Sequence, residues 1–362
     1  MLTCGYLCPP FPFASVPTVT DEEPAEDWRA HVGEEPETAG LSTDRARAHE
    51  PGRGRQADTP AEIPVQGWRD ILTRMFWATS ANRVLSTAGS VAFFTLLAVF
   101  PAIAAIVSLY GLFADASTIS GHLILLSGIL PNGVLNLIGD QIKLVAQKGN
   151  DTLGGAFAIS LVLALYSANS GIVALFDALN VVYNEREARS PVRLYATTFA
   201  FTLAGVAFTV LALTGVVALP VILRVIGMPA LTEWLITAAR WPVLLFGITG
   251  SLAVIYRYGP SRNGARWRWV TWGSAVAALL WVAASMLFSW YVATFDSYNR
   301  IYGSLGAGVG FMVWLWISAV IVLLGGELNA EMEHQTARDT TEGVGKPLGS
   351  RGAVMADHVG KS

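Results

Sequence analysis

Charge is what this 362-residue chain has least of: 14% of its residues are Asp, Glu, Lys or Arg, while 53% are apolar. An ordinary globular domain carries about a quarter charged residues, so this chain cannot coat a soluble particle of its size. Cysteine is almost missing. Cys4 and Cys8 are the only two, which excludes a disulfide framework and a thiolate zinc cage. Their spacing imitates a redox or metal pair, but two incidental cysteines in a polar tail are the expected reading. Histidine is sparse and scattered, at 31, 49, 122, 334 and 358, and no two stand at ligand spacing. There is no G-x-S-x-G elbow and no Walker P-loop. No enzyme, no metal and no cofactor is therefore expected. With a net charge of −3, bulk attraction to nucleic acid is not expected either.

The few charges are unevenly placed. Residues 1–66 hold 12 acids and 5 bases, net −7, and 9 of the 17 prolines; residues 67–362 are net +4. The first stretch has no sustained apolar period and should not bury enough surface to offset its ordering entropy, so it is expected to be a disordered acidic extension. Prolines at 9, 10 and 12 and the lack of a basic start argue against a signal peptide. Order is expected from Gly67, where residues 68–83 mix aromatic and basic side chains in the manner of an interfacial helix.

Six long apolar runs follow, at about 84–113, 153–179, 194–219, 241–258, 270–293 and 307–328. Each is close to the roughly 20 residues that a spanning helix needs. An open sheet would leave unpaired edges in lipid, so the expected fold is all-α, a membrane bundle of six transmembrane helices. Residues 336–362 are expected to form a flexible tail. Ten bases lie on one side of the runs (Arg69, Arg74, Arg83, Arg186, Arg189, Arg193, Arg257, Arg262, Arg266 and Arg268) and five on the other. The positive-inside bias then places both termini in the cytoplasm. Between the first two spans, Pro131-Asn-Gly133 breaks residues 121–148. Beyond it Val134, Leu135, Ile138, Ile142 and Val145 share one face, which predicts an amphipathic helical segment on the outer side.

Polar groups inside a span are costly, so their placement is informative. In the second span Tyr166, Asn169, Ser170, Asp177 and Asn180 fall on one stripe, expected to face the interior or a wet cavity. The sixth ends with Glu327, Asn329 and Glu331 at the same depth, while Arg193 opens the third span and Arg257 closes the fourth. Asp177, Glu327, Arg193 and Arg257 are expected to cluster, either as an interhelical clamp or as the lining of a cavity, with Arg300 an outer-side candidate. Glu331 and Glu333 read as helix-capping or solvated acids at the membrane edge. Thr198, Thr202, Gly205 and Thr209 in the third span, Ser274, Ala278, Ser285 and Ser289 in the fifth, and Gly303, Gly306, Gly308 and Gly310 in the sixth are expected to allow close packing. Pro101 suggests a kink. Arg262, Arg266 and Arg268, interleaved with Trp267 and Trp269, are expected to meet anionic lipid head groups.

Several of these segments carry a resemblance. Ala88-Gly-Ser-Val-Ala-Phe-Phe-Thr-Leu-Leu-Ala-Val-Phe-Pro101 resembles the opening motif of the YihY/BrkB family of bacterial inner-membrane proteins. So do Leu165-Tyr-Ser-Ala-Asn-Ser-Gly171 with Leu179-Asn180, Tyr256-Arg-Tyr-Gly-Pro260, and Ser297-Tyr-Asn-Arg-Ile-Tyr-Gly-Ser-Leu-Gly306 running on to Gly326-Glu-Leu-Asn-Ala-Glu331. The likeness covers residues 67–335. It implies a six-helix protein of the cytoplasmic (inner) membrane, with virulence-factor labels and suggested roles in envelope lipid handling. A ribonuclease label also occurs in that family, which this sequence, without clustered His and Asp ligands, does not support. The leading expectation is a transporter-like protein that moves lipid or another amphiphile; the alternative is a non-transporting scaffold or assembly factor, and a membrane-bound ribonuclease is the remote third.

Overall fold

The computed structural model describes residues 35–113, 150–213, 215, 230–294 and 304–362. The amphipathic segment expected at 121–148, Arg300, and residues 1–34 lie outside them. The regular elements among the described residues are helices: α1 (Glu35–Arg47), a 3-10 turn (Pro60–Glu62), α2 (Val65–Ala81), α3 (Val84–Phe113), α4 (Asn150–Val182), α5 (Pro191–Leu213), α6 (Ala230–Tyr258), α7 (Trp267–Thr294), α8 (Ser304–Gln335) and the short α9 (Val354–Asp357). By contact clustering residues 1–40 separate from residues 41–362, and the packing below concerns the latter.

Five helices contain stretches long and apolar enough to cross a membrane: Val84–Ala104, Phe157–Val182, Pro191–Ala212, Trp267–Val292 and Gly308–Gln335. α6 is not among them, although it is 29 residues long. On α7 the exposed Trp272 and Trp290 are 18 residues apart. At 1.5 Å per residue that is about 27 Å, close to the hydrocarbon thickness that two aromatic belts bracket.

α3 lies along α4, α8 packs on α7, α3 and α2, and α6 on α7. Phe176, Leu179, Tyr256, Leu323 and Ala277 are fully buried within this assembly. Large apolar side chains such as Phe93, Phe100, Val162, Leu211, Phe246, Leu287 and Met286 point outward. That inversion suits lipid, where apolar burial gives little drive and close packing and polar contacts decide association. Close approach occurs at Gly273 and Gly325, where α7 and α8 meet so tightly that a Cβ on either would collide with the other helix. Gly205, Gly308 and Gly310, expected to serve that purpose, face open space. Runs of small residues tell which helices could approach, and neighbouring bulk decides which do. α3 continues helically through Pro101.

Residues 41–66 and 336–362 are packed where looser chain is expected, while residues 1–34 lie outside the described residues. From residue 41 onward the chain is built onto one end of the bundle. Ala57 and Ile63 are buried in a cluster with Ile71, Trp269, Leu328 and Met332. Arg55, nearly fully buried, donates to Glu50, to the Gln335 carbonyl (3.2 Å) and to the Gly360 carbonyl (2.8 Å). The C-terminal stretch is not loose either. Arg351 is 3% exposed and donates to the carbonyls of Ala337, Arg338, Lys346 and Ala356. Composition predicts disorder from lack of apolar surface; here arginines satisfying backbone carbonyls, and a handful of apolar anchors, supply the order.

Candidate functional site

The polar residues gather where α4 ends and α5 begins, where α6 ends and α7 begins, and where α8 ends. The turn after α4 is tight: Asn184 adopts a left-handed φ of 53°, which Asn tolerates better than most residues, and α5 opens with Pro191. Asn180 ties the two turns together. Its Nδ2 donates to Glu187 (3.0 Å), and its Oδ1 accepts from the Ser261 N–H (2.7 Å). Arg189 adds donations to Glu187 (2.7 Å) and to the Gly259 carbonyl (2.8 Å). Those bonds from Arg189, with others from its backbone N–H and from Asn180, hold the Glu187 carboxyl down at about 2 despite some burial.

The last turns of α8 carry Glu327, Asn329, Glu331, Glu333 and Gln335, all buried. One helix face cannot hold them all, so this end of α8 is enclosed on every side. Towards α2, Asn82 Nδ2 donates to both oxygens of Glu327 (3.3 Å each), and Arg74 pairs with Glu331 (2.6 Å) and donates to Gln335 (2.8 Å). Towards α7, Asn329 Oδ1 accepts from the Gly273 N–H (2.9 Å), while its Nδ2 donates to the Val270 carbonyl (3.2 Å). Towards the 259–266 turn, Arg262 grips Glu333 with both nitrogens (2.9 and 2.8 Å), and Thr340 donates to the same carboxylate (2.9 Å). Arg262 and Glu333 side chains are 0% exposed, and the guanidinium sits 4.2 Å over the Tyr183 ring. Burial works against its charge, yet the Glu333 carboxylate outweighs that and raises the Arg262 pKa above its ordinary value. The side chains expected to cap or solvate a helix are instead the polar core of a layer.

The expected four-residue cluster does not assemble. Glu327 faces Asn82. Arg257 is buried, donates to the Ala265 carbonyl (2.6 Å), pairs with Glu342 and lies 4.4 Å over the Trp267 ring. Asp177 and Arg193 are exposed, and their side chains make no hydrogen bond or ion pair with other described residues. Nor does the α4 stripe face one way. Asn169 and Asn180 are buried, and Asn169 accepts from Thr202 of α5 (3.4 Å). Tyr166 is 69% exposed, Asp177 is exposed and Ser170 partly so. Helix geometry explains the split. Relative to Tyr166, Asp177 and Ser170 are turned by about 20° and 40° one way, and Asn180 and Asn169 by about 40° and 60° the other. The stripe is about 100° wide and straddles the edge of the packed interface. Of the head-group candidates, Arg262 is consumed by Glu333 and Arg266 donates to the Thr341 carbonyl (2.9 Å); Arg268 alone stays exposed.

Arg74, Asn82 and Arg351 were not foreseen as structural partners. The one signal that could have pointed to them is the polar density itself. Six polar residues within nine positions continue a helix that is apolar up to Leu324, a pattern that solvent exposure explains only if nothing lies beyond. Among the described residues no three His, Cys, Asp or Glu side chains converge as metal ligands.

Comparison with known proteins matches this architecture. The chain is 30% identical over 270 residues to a ribonuclease-like protein, YfkH, of Bacillus subtilis, covering 72% of this chain and 94% of that one. It is 30% identical over 277 residues to a UPF0761 membrane protein of Aromatoleum aromaticum, covering 75% of this chain and 65% of the relative. A UPF0761 membrane protein of Haemophilus influenzae is 22% identical over 274 residues, 94% of its length. No solved structure gives a significant match. Residues 75–347 match the family model described as virulence factor BrkB, from the middle of α2 through all of α8 and into the ordered tail. With its apolar helices and the polar layer both inside that match, the chain is a membrane protein of the virulence factor BrkB family.

Proposed function

We propose that this protein is a six-span inner-membrane protein, with both termini cytoplasmic, that moves or hands on lipids or similar amphiphiles along the exposed polar stripe of α4. Chain direction supports the sixth span. α5 and α7 both begin at the arginine-rich end, and α6 ends there, so α6 has to carry the chain back across. The ten bases at that end support its cytoplasmic assignment.

The observation that carries the transport reading is the carboxylate of Asp177, exposed, with no hydrogen bond or ion pair to a described residue and with only Arg189, itself engaged by Glu187, as a nearby counter-charge, inside a stretch apolar enough to span. A charge facing hydrocarbon is costly, and such groups mark wet paths or substrate contacts. With Tyr166 and Ser170 above it on the same stripe, Asp177 offers a polar head group successive partners across about 16 Å of helix, while its acyl chains stay in the bilayer. Scrambling of a fluorescent phospholipid in proteoliposomes tests this. Asp177→Asn and Tyr166→Phe are expected to slow it by about tenfold each, the equivalent of one lost polar contact at the barrier. Rates equal to the unaltered protein's would sink the reading.

A scaffold or assembly role is the second reading, favoured by the layer at the end of α8, where the buried polar groups clamp elements together. It predicts no scrambling above protein-free vesicles, with or without the substitutions.

A further inference from the structure

α2 has two unlike faces. Gly67, Ile71 and Arg74 turn inward, and the arginine is consumed by Glu331, Gln335 and the Lys361 carbonyl. Val65, Arg69, Leu72 and Phe76, at spacings of four, three and four, turn outward with Trp77 beside them. Phe76 and Trp77 are 72% and 68% exposed, a large apolar area on a helix that buries only Gly67 and Ile71. The Trp68 ring lies 6.3 Å from Trp272, which sets the outer face of α2 beside the start of α7, where Trp267, Arg268 and Trp272 are exposed.

Two guanidinium groups on this surface, Arg69 and Arg268, donate to no described residue. The neighbouring acids are already engaged: Asp70 with Arg53 (2.6 Å), and Glu62 with the Asp58 N–H (2.8 Å) and the Thr59 hydroxyl (3.0 Å), although Glu62 also feels the charge of Arg268. Exposed apolar residues follow on the next elements too, Leu85 at the start of α3 and Leu279 two turns beyond Trp272 on α7. Cations that donate to no described residue, beside exposed aromatics, complement an anionic head-group layer lying over acyl chains.

We propose that the outer face of α2 and the start of α7 form a docking surface for anionic phospholipid of the surrounding leaflet. Leu72, Phe76 and Trp77 enter the acyl boundary, and Arg69 and Arg268 take the lipid phosphates. This holds whether or not the protein transports anything.

The full chain is placed in nanodiscs of phosphatidylcholine with and without phosphatidylglycerol, and retained lipids are counted by native mass spectrometry. The double variant Arg69→Gln, Arg268→Gln is expected to lose at least half of the preference for phosphatidylglycerol and to melt at an unchanged temperature in pure phosphatidylcholine. Arg74→Gln is the control for a structural arginine on the same helix; it is expected to melt lower in both discs and keep the preference. An undiminished preference in the double variant overturns the proposal. Insertion is read with a spin label at Phe76→Cys in a background with Cys4 and Cys8 changed to Ser. Collision with oxygen, which partitions into lipid, should exceed collision with a water-soluble nickel chelate. The reverse order, or low access to both because a second copy or another protein covers the face, would equally overturn it.

Discussion

α4 and α8 carry the same kind of polar residue in apolar helices, and the two meet opposite fates. At the end of α8 every carboxylate and amide is buried, and each finds a donor or a cation on α2, α7, the 259–266 turn or the tail. Along α4 the amides Asn169 and Asn180 are paired inside, while the carboxylate Asp177 stands outside unpaired. Polarity in a span therefore has two meanings, which only the neighbours distinguish. Where partners converge it clamps helices that gain little from apolar burial in lipid; where none do, it is left for something the protein does not itself supply.

The comparison can be broken most sharply at Arg262–Glu333. Removing one partner by Arg262→Ala leaves a fully buried carboxylate uncompensated, with an expected loss of about 3–5 kcal/mol in denaturant unfolding in detergent. The double variant Arg262→Met, Glu333→Leu should recover most of that. A single variant as stable as the parent would mean that the layer is no clamp. Next in size is Asn329→Ala, which removes the buried bonds to the Gly273 N–H and the Val270 carbonyl and should cost about 1–3 kcal/mol by the same measurement. Asp177→Asn should change stability by no more than about 0.5 kcal/mol, as an exposed site does, while slowing lipid scrambling. If Asp177→Asn destabilises as much as Asn329→Ala, the two helices use polarity alike and the contrast fails.

Much of the frame was legible in the sequence. The apolar runs lie on α3 to α8, and where both ends fall among the described residues they agree within a few residues, except that α8 continues seven residues past its run. The polar layer was not legible, for two physical reasons. Periodicity shows which residues share a helix face but not where the packed interface ends, so the α4 stripe read as one surface although its edge cuts between Asp177 and Asn180. Composition also undervalues arginine as a folding residue. Arg55, Arg74 and Arg262 bind carbonyls and carboxylates far away in the chain, and no local pattern announces such partners.

The turn between α4 and α5 gives the smallest and finest test. Glu187 has a folded pKa of about 2, below the ordinary value of 4.5, chiefly because Arg189 donates to its ionised form. A lowered acid pKa contributes stability that is fully present above pH 4.5 and is lost as pH falls toward 2. Replacing Glu187 by Gln should therefore cost stability at pH 6, by about 1 kcal/mol or less because the group is largely reached by solvent, and the difference from the parent should shrink below pH 4.5 and vanish near pH 2. Melting curves of the two proteins across that range would show it. A constant difference at all pH values would mean that Glu187 acts by shape and not by charge.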